Sequence, residues 1–373
     1  MRVGFGLLLM WLSHFLVDFM IGIFSVYKTL AGLDLAKAGA IAFFSAMFGE
    51  GLQIFSGSLS DSGYRKPMLI LGVLLVCANA MIVYVDSYWL IFTLVLINYI
   101  GSGCFHPSAA SFAGSILPHR RGLCITIFAS GGALGLALSQ IGFYSFYRVL
   151  GSNLWVMVIP SVALALFILT RTFTTGEDKA QDKAHVSMGA KRFLEIFSLF
   201  KIRDMRLLYL SLVCNQALFW GMIFLLPDLL KSRGFGEWLC YGGGHCAMIL
   251  GAGCAMVPAA WFADRVSPRR VMMAAMCCSM IFHYSLLMFA PSGEWVVLSW
   301  LFFLGAALGL VAPVGIAYGT RLFPGRPGLV SAFLMGMVWC ISESMGPGGS
   351  GYLAHLFGGV EGPEKALICI GVL

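Results

Sequence analysis

Gly101-Ser102-Gly103-Cys104-Phe105-His106-Pro107, followed by Pro118, Arg120, Gly122 and Leu123, is the stretch on which the fold turns. Six of these residues return later in the chain. Gly103, Pro107, Pro118, Arg120, Gly122 and Leu123 are matched by Gly309, Pro313, Pro324, Arg326, Gly328 and Leu329, each 206 positions on. A second match lies upstream: Asp61 and Lys66 close one apolar run, and Asp264 and Arg269 close another, at an offset of 203. Two blocks repeated in the same order, with about three residues gained between them, mark a duplicated chain.

Composition says in which solvent the duplicate folds. The 373 residues are 59% hydrophobic and 11% charged, with a mean hydropathy of +0.88. A soluble domain carries about 25% charged residues, so the chain reads as an integral membrane protein whose first partner is the lipid bilayer. A membrane helix needs roughly 20 apolar residues. Apolar runs fall at 4–29, 35–56, 67–86, 88–116, 123–147 and 153–173, then at 206–229, 239–263, 270–290, 293–319, 328–356 and 365–373. The last is too short to cross and reads as an incomplete twelfth helix. The first is long enough to span and has no small-residue cleavage site, so it reads as a first span rather than a leader. The net charge of +7 does not point to nucleic acid, because the basic residues sit in alternate loops. The eleven cysteines are scattered through apolar runs, only Cys277 and Cys278 being adjacent, and read as packing thiols rather than disulfides or a metal site.

Basic residues gather on the cytoplasmic side of membrane proteins. With the N-terminus and the central loop inside, only Lys28, Lys37, Arg148, Lys231, Arg233 and Lys365 of the 24 basic residues fall outside. Both halves then begin on the same side. The expected organisation is a six-helix bundle over 1–173, a cytoplasmic linker over 174–205 and a second bundle over 206–373. Parallel halves related by an axis along the membrane normal are a transporter architecture. Within the linker, Phe193, Ile196, Phe197 and Phe200 recur at helical spacing among basic residues, as in a helix lying at the inner interface. A plain solvated helix fits that pattern as well.

The loop Gly57-Ser58-Leu59-Ser60-Asp61-Ser62-Gly63-Tyr64-Arg65-Lys66 resembles the signature of the major facilitator superfamily, Gly-x-Leu-x-Asp-Arg-x-Gly-Arg-Arg/Lys. Ser62 stands where that signature has Arg, and Gly63 comes one place early. The second copy keeps Asp264-Arg265 but has Ala260 for its first glycine. Ser130-Gly131-Gly132-Ala133-Leu134-Gly135 is a loose version of the glycine-rich antiporter motif, without its Gly-Pro pair. Within the superfamily, His14-Phe15-Leu16-Val17-Asp18 and Gly103-Cys104-Phe105-His106-Pro107 resemble the fosmidomycin resistance group. The resemblance implies two six-helix bundles under pseudo-two-fold symmetry in a bacterial inner membrane. It also implies a monomer without cofactor that exports a small molecule, nearest to a phosphonate drug, on the proton gradient.

Ionisable residues inside apolar runs are functional candidates by default. His14 and Asp18 are four apart and share a helix face, which Gly22 extends. Such a pair can take up a proton on one side and release it on the other; a buried ion pair that fixes helix packing is the plainer alternative. His106, one residue before Pro107, can bind an anion, relay a proton or donate to a carbonyl freed by the proline. Phe105 would wall the site if it does more than pack. Glu50, between two glycines, and Glu343, before Gly346-Pro347-Gly348-Gly349, are either protonation sites or partners of an unplaced cation. His245 and His283 read as structural histidines. Asp61 with Arg65 and Lys66, and Asp264 with Arg265 and Arg269, would latch the inner gate by helix capping and ion pairs. No nucleophile–base spacing, metal-ligand cluster or phosphate loop argues for an enzyme. Proton-driven uptake of a nutrient or organic anion needs the same residues, and a membrane sensor remains the reading from another class.

Overall fold

The computed structural model describes residues 3–170, 195–289, 293–323, 329–330 and 332–373. Backbone polar groups in lipid must bond within their own segment, and no strand occurs among the described residues. The first six rods are α1 (Val3–Ile21, continuing as Ile23–Leu30), α2 (Leu35–Gly51 and Gln53–Leu59), α3 (Arg65–Leu75, tightening over Val76–Tyr84), α4 (Tyr88–Ile116), α5 (Arg121–Leu150) and α6 (Gly151–Val158 and Ile159–Leu169). The second six are α7 (Arg203–Ser232), α8 (Leu239–Gly243 and Gly244–Arg265), α9 (Pro268–Met288), α10 (Glu294–Gly309 and Val311–Leu322), α11 (Ala332–Met337 and Val338–Phe357) and α12 (Gly362–Ile370). Nine of the helices described are long and apolar enough to cross a membrane. The twelfth, as expected, is only 9 residues long.

The repeat is visible in the packing. Gly103 of α4 meets Gly49 of α2 so closely that a Cβ would strike the Gly49 carbonyl, and Gly309 of α10 meets Ala252 of α8 in the same way. Gly49 and Ala252 stand 203 apart, the offset of the Asp61 and Asp264 loops. The two prolines act differently. Pro107 is carried inside a continuous α4, whereas α10 breaks at Leu310, just ahead of Pro313.

The halves meet chiefly through α2 with α11, α5 with α8, and α7 with the Ile23–Leu30 part of α1. One apolar core runs through both halves and includes Ile23, Phe24, Phe143, Phe224, Leu239 and Ile370. A second core, including Ile196, Leu199, Leu212, Val311 and Phe333, belongs to the second half alone and lies toward the face bearing the N-terminus. The halves are therefore joined toward the face opposite the N-terminus and part company toward the N-terminal one.

Of the expected linker, 174–194 lies outside the described residues, as do Pro324, Arg326 and Gly328. The part described, 195–201, docks under the second half. Ile196 and Leu199 are buried, and Phe200 packs edge-on against Tyr209 and Phe333. In the first loop Gly63 takes φ +94, the left-handed conformation that glycine adopts freely. That places the turn one residue earlier than the family signature does.

Candidate functional site

The helix between His14 and Asp18 turns both side chains onto one face, and that face meets α5 and α4. Glycines make the approach possible. A Cβ at Gly131 would strike the Trp11 carbonyl, one at Gly135 the Phe15 carbonyl, and one at Gly22 would overlap Ser139. Trp11 Nε1 donates to Ser130 Oγ at 3.0 Å across the same seam. Gly132 has a more particular duty, because a Cβ there would run into the His14 imidazole and the Asp18 carboxylate themselves. The glycine-rich motif of α5 is thus the lid over the α1 pair.

His106 arrives from α4, 88 residues away in sequence, and completes a three-residue cluster. Asp18 Oδ2 lies 3.3 Å from His14 Nε2, and Asp18 Oδ1 lies 3.2 Å from His106 Nε2. The far nitrogen of each ring faces a backbone carbonyl: His14 Nδ1 donates to Phe128 O at 2.9 Å, and His106 Nδ1 to Ser102 O at 3.0 Å. A carbonyl only accepts, so both Nδ1 atoms carry hydrogen. A neutral imidazole then presents a bare lone pair at Nε2, and each contact with the carboxylate closes only when a further proton lies between nitrogen and oxygen. The cluster therefore has places for two protons beyond those its neutral rings and charged carboxylate hold. With both filled, two imidazoliums and one carboxylate leave a net charge of one positive unit.

Glu50 answers that charge. Its Oε1 accepts from Ser102 Oγ at 2.7 Å, and its other oxygen accepts from Gln53 Nε2. Ser102 Oγ lies 3.1 Å from His106 Nδ1, so Asp18, His106, Ser102 and Glu50 form one connected line. Phe105 is fully buried, with its ring centroid 6.0 Å from that of His14 and 6.3 Å from that of Phe128. It packs behind the imidazole and does not wall a cavity. His14 stacks on Phe128 at 4.1 Å, which holds the ring in register with Asp18.

The second half contributes little at this level. Val311 and Ala312 replace Phe105 and His106, and α7 has no ionisable carboxylate, amine or imidazole between Arg206 and Asp228. Its one acid here is Glu343 on α11, which is buried and makes no hydrogen bond or ion pair among the described residues. Glu343 lies across the α2–α11 seam from the Glu50 stretch, where Cys340 Sγ donates to Met47 O at 3.5 Å. An apolar cleft of about 380 Å³ flanks that seam, between Phe48, Phe55, Phe197 and Met337; none of the triad lines it. Of the histidines read as structural, His245 Nε2 lies 2.7 Å from Leu136 O and His283 Nε2 lies 2.9 Å from Leu367 O, while the Nδ1 of each is buried without a hydrogen-bond partner among the described residues.

The gate loops differ from expectation in their partners. Asp264 pairs with Arg321 of α10, not with Arg265 or Arg269. Arg265 instead lies over the Trp261 ring at 3.7 Å, and Arg269 is exposed. The reason is reach: helix α8 turns Asp264 toward the end of α10, while its neighbour points along α8 itself. Arg65 is buried and reaches Ser111 Oγ at 3.4 Å, and Lys66 caps the end of α6 by donating to Leu169 O at 2.6 Å. The side chain of Asp61 lies outside those described.

Sequence reasoning missed the contacts that join the halves. Lys28 of α1, fully buried, pairs with Asp228 of α7 and lies 4.5 Å from the centre of the Phe224 ring. Tyr144 of α5 donates to Glu237, and Asp34 meets His355 Nδ1 at 2.7 Å. Lys28 and Asp228 each sit at the end of an apolar run, where charges are ordinary. The available cue was that the two ends occupy the same level in the two repeats.

The sequence profile of the Major Facilitator Superfamily matches residues 5–347. The multidrug resistance protein MdtH of Photorhabdus laumondii subsp. laumondii is 26% identical over 126 residues, 32% of this chain and 31% of that protein. The match thus spans about a third of that relative's length. Among solved structures, a point mutant of the nucleoside transporter NupG superposes with a TM-score of 0.81 at 14% identity, over 100% of this chain and 96% of that one. A bacterial homolog of the human lysosomal transporter Spinster, in an inward-facing and unoccupied conformation, gives 0.80 at 15% identity, over 99% and 94%. At these identities the structural likeness is one of fold.

Proposed function

The chain belongs to the Major Facilitator Superfamily, and from that premise we propose that it is a proton-coupled exporter whose coupling site is the His14–Asp18–His106 cluster. As a member of that family it is a multi-pass membrane transporter, not an enzyme. The observation that carries the coupling reading is the pair of nitrogen–carboxylate contacts at 3.3 and 3.2 Å, each of which needs a proton to close. Loading the cluster draws α1, α4 and α5 together; unloading it leaves lone pairs facing a carboxylate and loosens them. Alternating access then follows from rocking of the two halves about a site near the middle of α1.

The N-terminal face is taken as cytoplasmic, on the distribution of basic residues. Protons arrive from the opposite side and return the emptied carrier. Glu50 balances the charge of the loaded cluster, and Glu343 is the second half's proton site. The cargo is read as a small anionic drug of the phosphonate kind. That rests on the α1 and α4 motifs, and the partial likeness to a multidrug resistance protein supports export.

The test is proton movement in proteoliposomes under an imposed pH gradient, with fosmidomycin as the cargo. Asp18→Asn keeps the shape and removes the charge, and transport is expected to fall to that of protein-free vesicles. Undiminished gradient-driven transport in that variant would remove the cluster from coupling. Gradient-driven accumulation in the direction of uptake would overturn export.

A further inference from the structure

The same three side chains have a second chemistry. His14 Nε2, His106 Nε2 and the Asp18 carboxylate offer donor atoms that all lie within 4.8 Å of one another. The nitrogen–oxygen separations, 3.3 Å from His14 to Oδ2 and 3.2 Å from His106 to Oδ1, match neighbouring ligands held about 2.0–2.1 Å from an ion that the carboxylate grips at its edge through both oxygens. We propose that the triad is a binding site for a divalent first-row transition-metal ion.

Three features beyond proximity point that way. A metal-ligating histidine characteristically donates its other ring nitrogen to a carbonyl, carboxylate or water, which fixes the tautomer and aims the lone pair. Both rings do so here, His14 to Phe128 O and His106 to Ser102 O. The rings are also held from behind, His14 by its stack on Phe128 and His106 by Ser102 Oγ, which is itself tied to Glu50. Lastly, the set is incomplete on one side: the His106 and Asp18 side chains keep 22% and 18% of their accessible surface, against 10% for His14. That leaves a coordination position for water or for an oxygen of an anionic ligand, as in sites that exchange what they hold.

Ligand chemistry narrows the ion. Two imidazoles and a carboxylate suit zinc, cobalt, nickel or ferrous iron; magnesium and calcium prefer oxygen throughout, and no thiolate belongs to the triad to select cuprous copper. The exchange balances. A divalent ion needs both Nε2 lone pairs, so it displaces the two protons of the loaded cluster. Two positive charges leave and two arrive, so the site keeps its net charge of one. Resting on the coupling reading above, such an ion competes with protons for the one site.

The probe is Co²⁺, whose visible absorption reports nitrogen and oxygen ligands directly, with Zn²⁺ as competitor, on the full chain in detergent. One Co²⁺ per chain with a visible band, displaced by Zn²⁺, is expected in the native protein. Zn²⁺ should also raise its thermal unfolding midpoint. Asp18→Asn and His106→Gln should each weaken binding by more than the ~10–100-fold that a supporting residue costs. Ser102→Ala, which removes only a support, should stay within that range. A native protein with no visible band and no Zn²⁺-dependent midpoint shift would overturn the site, whatever the variants do. A band that survives in both triad variants would move the ion elsewhere and overturn it equally. Proteoliposomes with a zinc-sensitive dye inside separate this from the coupling reading. Proton coupling without a Co²⁺ site sinks the metal and spares the coupling. A triad Co²⁺ site with no gradient-driven zinc or drug movement sinks the coupling and spares the site.

Discussion

At the face opposite the N-terminus, the seam between the halves is crossed by Lys28–Asp228, by Tyr144 and Arg148 with Glu237, and by Asp34–His355. At the N-terminal face, Asp264–Arg321 joins α8 to α10 and Lys66 joins α3 to α6, each within one half. Burial singles out one contact rather than a whole face, since Arg148 and Glu237 are 65% and 68% exposed. Lys28 is wholly buried, whereas the Asp264 and Arg321 side chains are 65% and 53% exposed. The backbone agrees, since a Cβ at Gly242 of α8 would strike the α5 backbone at Ile141, and one at Gly351 of α11 would strike the Leu35 carbonyl of α2. Ionic contacts across a seam close it only where the backbones can also meet. One end is locked and the other open, with the triad between them, about 15 Å along α1 from Lys28 at 1.5 Å per residue.

The comparison breaks first, if it breaks, at Lys28. Removing one partner of a buried ion pair strands the other and costs about 3–5 kcal/mol, while replacing both by apolar residues is often neutral. Lys28→Met is therefore expected to lower the thermal unfolding midpoint sharply and to let the locked end open. Spin labels at Trp89 and Trp295, exposed at the starts of α4 and α10 on that face, should report a longer and broader separation. Adding Asp228→Leu should restore stability without restoring the original separation. An unchanged separation in Lys28→Met would mean that packing alone holds that end shut.

A smaller effect is expected at Asp34, which does two jobs at the same end. It caps α2 by accepting from the Lys37 N–H at 2.9 Å, and it meets His355 across the seam. Partial burial pushes its carboxyl upward, but the Lys37 N–H and the neighbouring His355 outweigh that and hold it below the usual 3.8. A carboxyl lowered in this way contributes stability that is present above 3.8 and is lost as pH falls through its lower folded value. Asp34→Ala is expected to cost about 1 kcal/mol at neutral pH. The gap between variant and native midpoints should narrow as the pH is lowered past 3.8. A gap that stays constant in acid would mean that the cap, not the charge, carries the effect.

The sequence exposed the frame better than the fastening. The offsets of 206 and 203 foretold the duplicated bundles, because glycine and proline are used for backbone geometry that both halves share. The i,i+4 spacing of His14 and Asp18 was legible because helix geometry is local. His106 meeting Asp18, Ser102 joining His106 to Glu50, and Gly132 covering the pair depend on how α1, α2, α4 and α5 cross, which no local pattern encodes. Phe105 illustrates the limit, since only the packing shows that it is fully buried behind the His14 ring. Lys28 and Asp228 were hidden for a different reason: a charge at a helix end looks solvated until a second end is brought against it.

The weakest expected effect belongs to the open end, and it sharpens the comparison most. Asp264–Arg321 is exposed and joins two helices of one half, so its direct contribution should be no more than about 1 kcal/mol and should fade with salt. Arg321→Gln is expected to leave the unfolding midpoint and the spin-label separation across the locked end within error of the native protein. Its effect should appear only in transport. If the pair is a latch that re-forms across the halves when the N-terminal face closes, the variant should slow turnover under a pH gradient while cargo binding is unchanged. If turnover is also native, then Asp264 is a helix-end tether and closure of that face must be sought in residues other than the signature loops. A drop in the midpoint as large as that of Lys28→Met would erase the distinction between the two ends altogether.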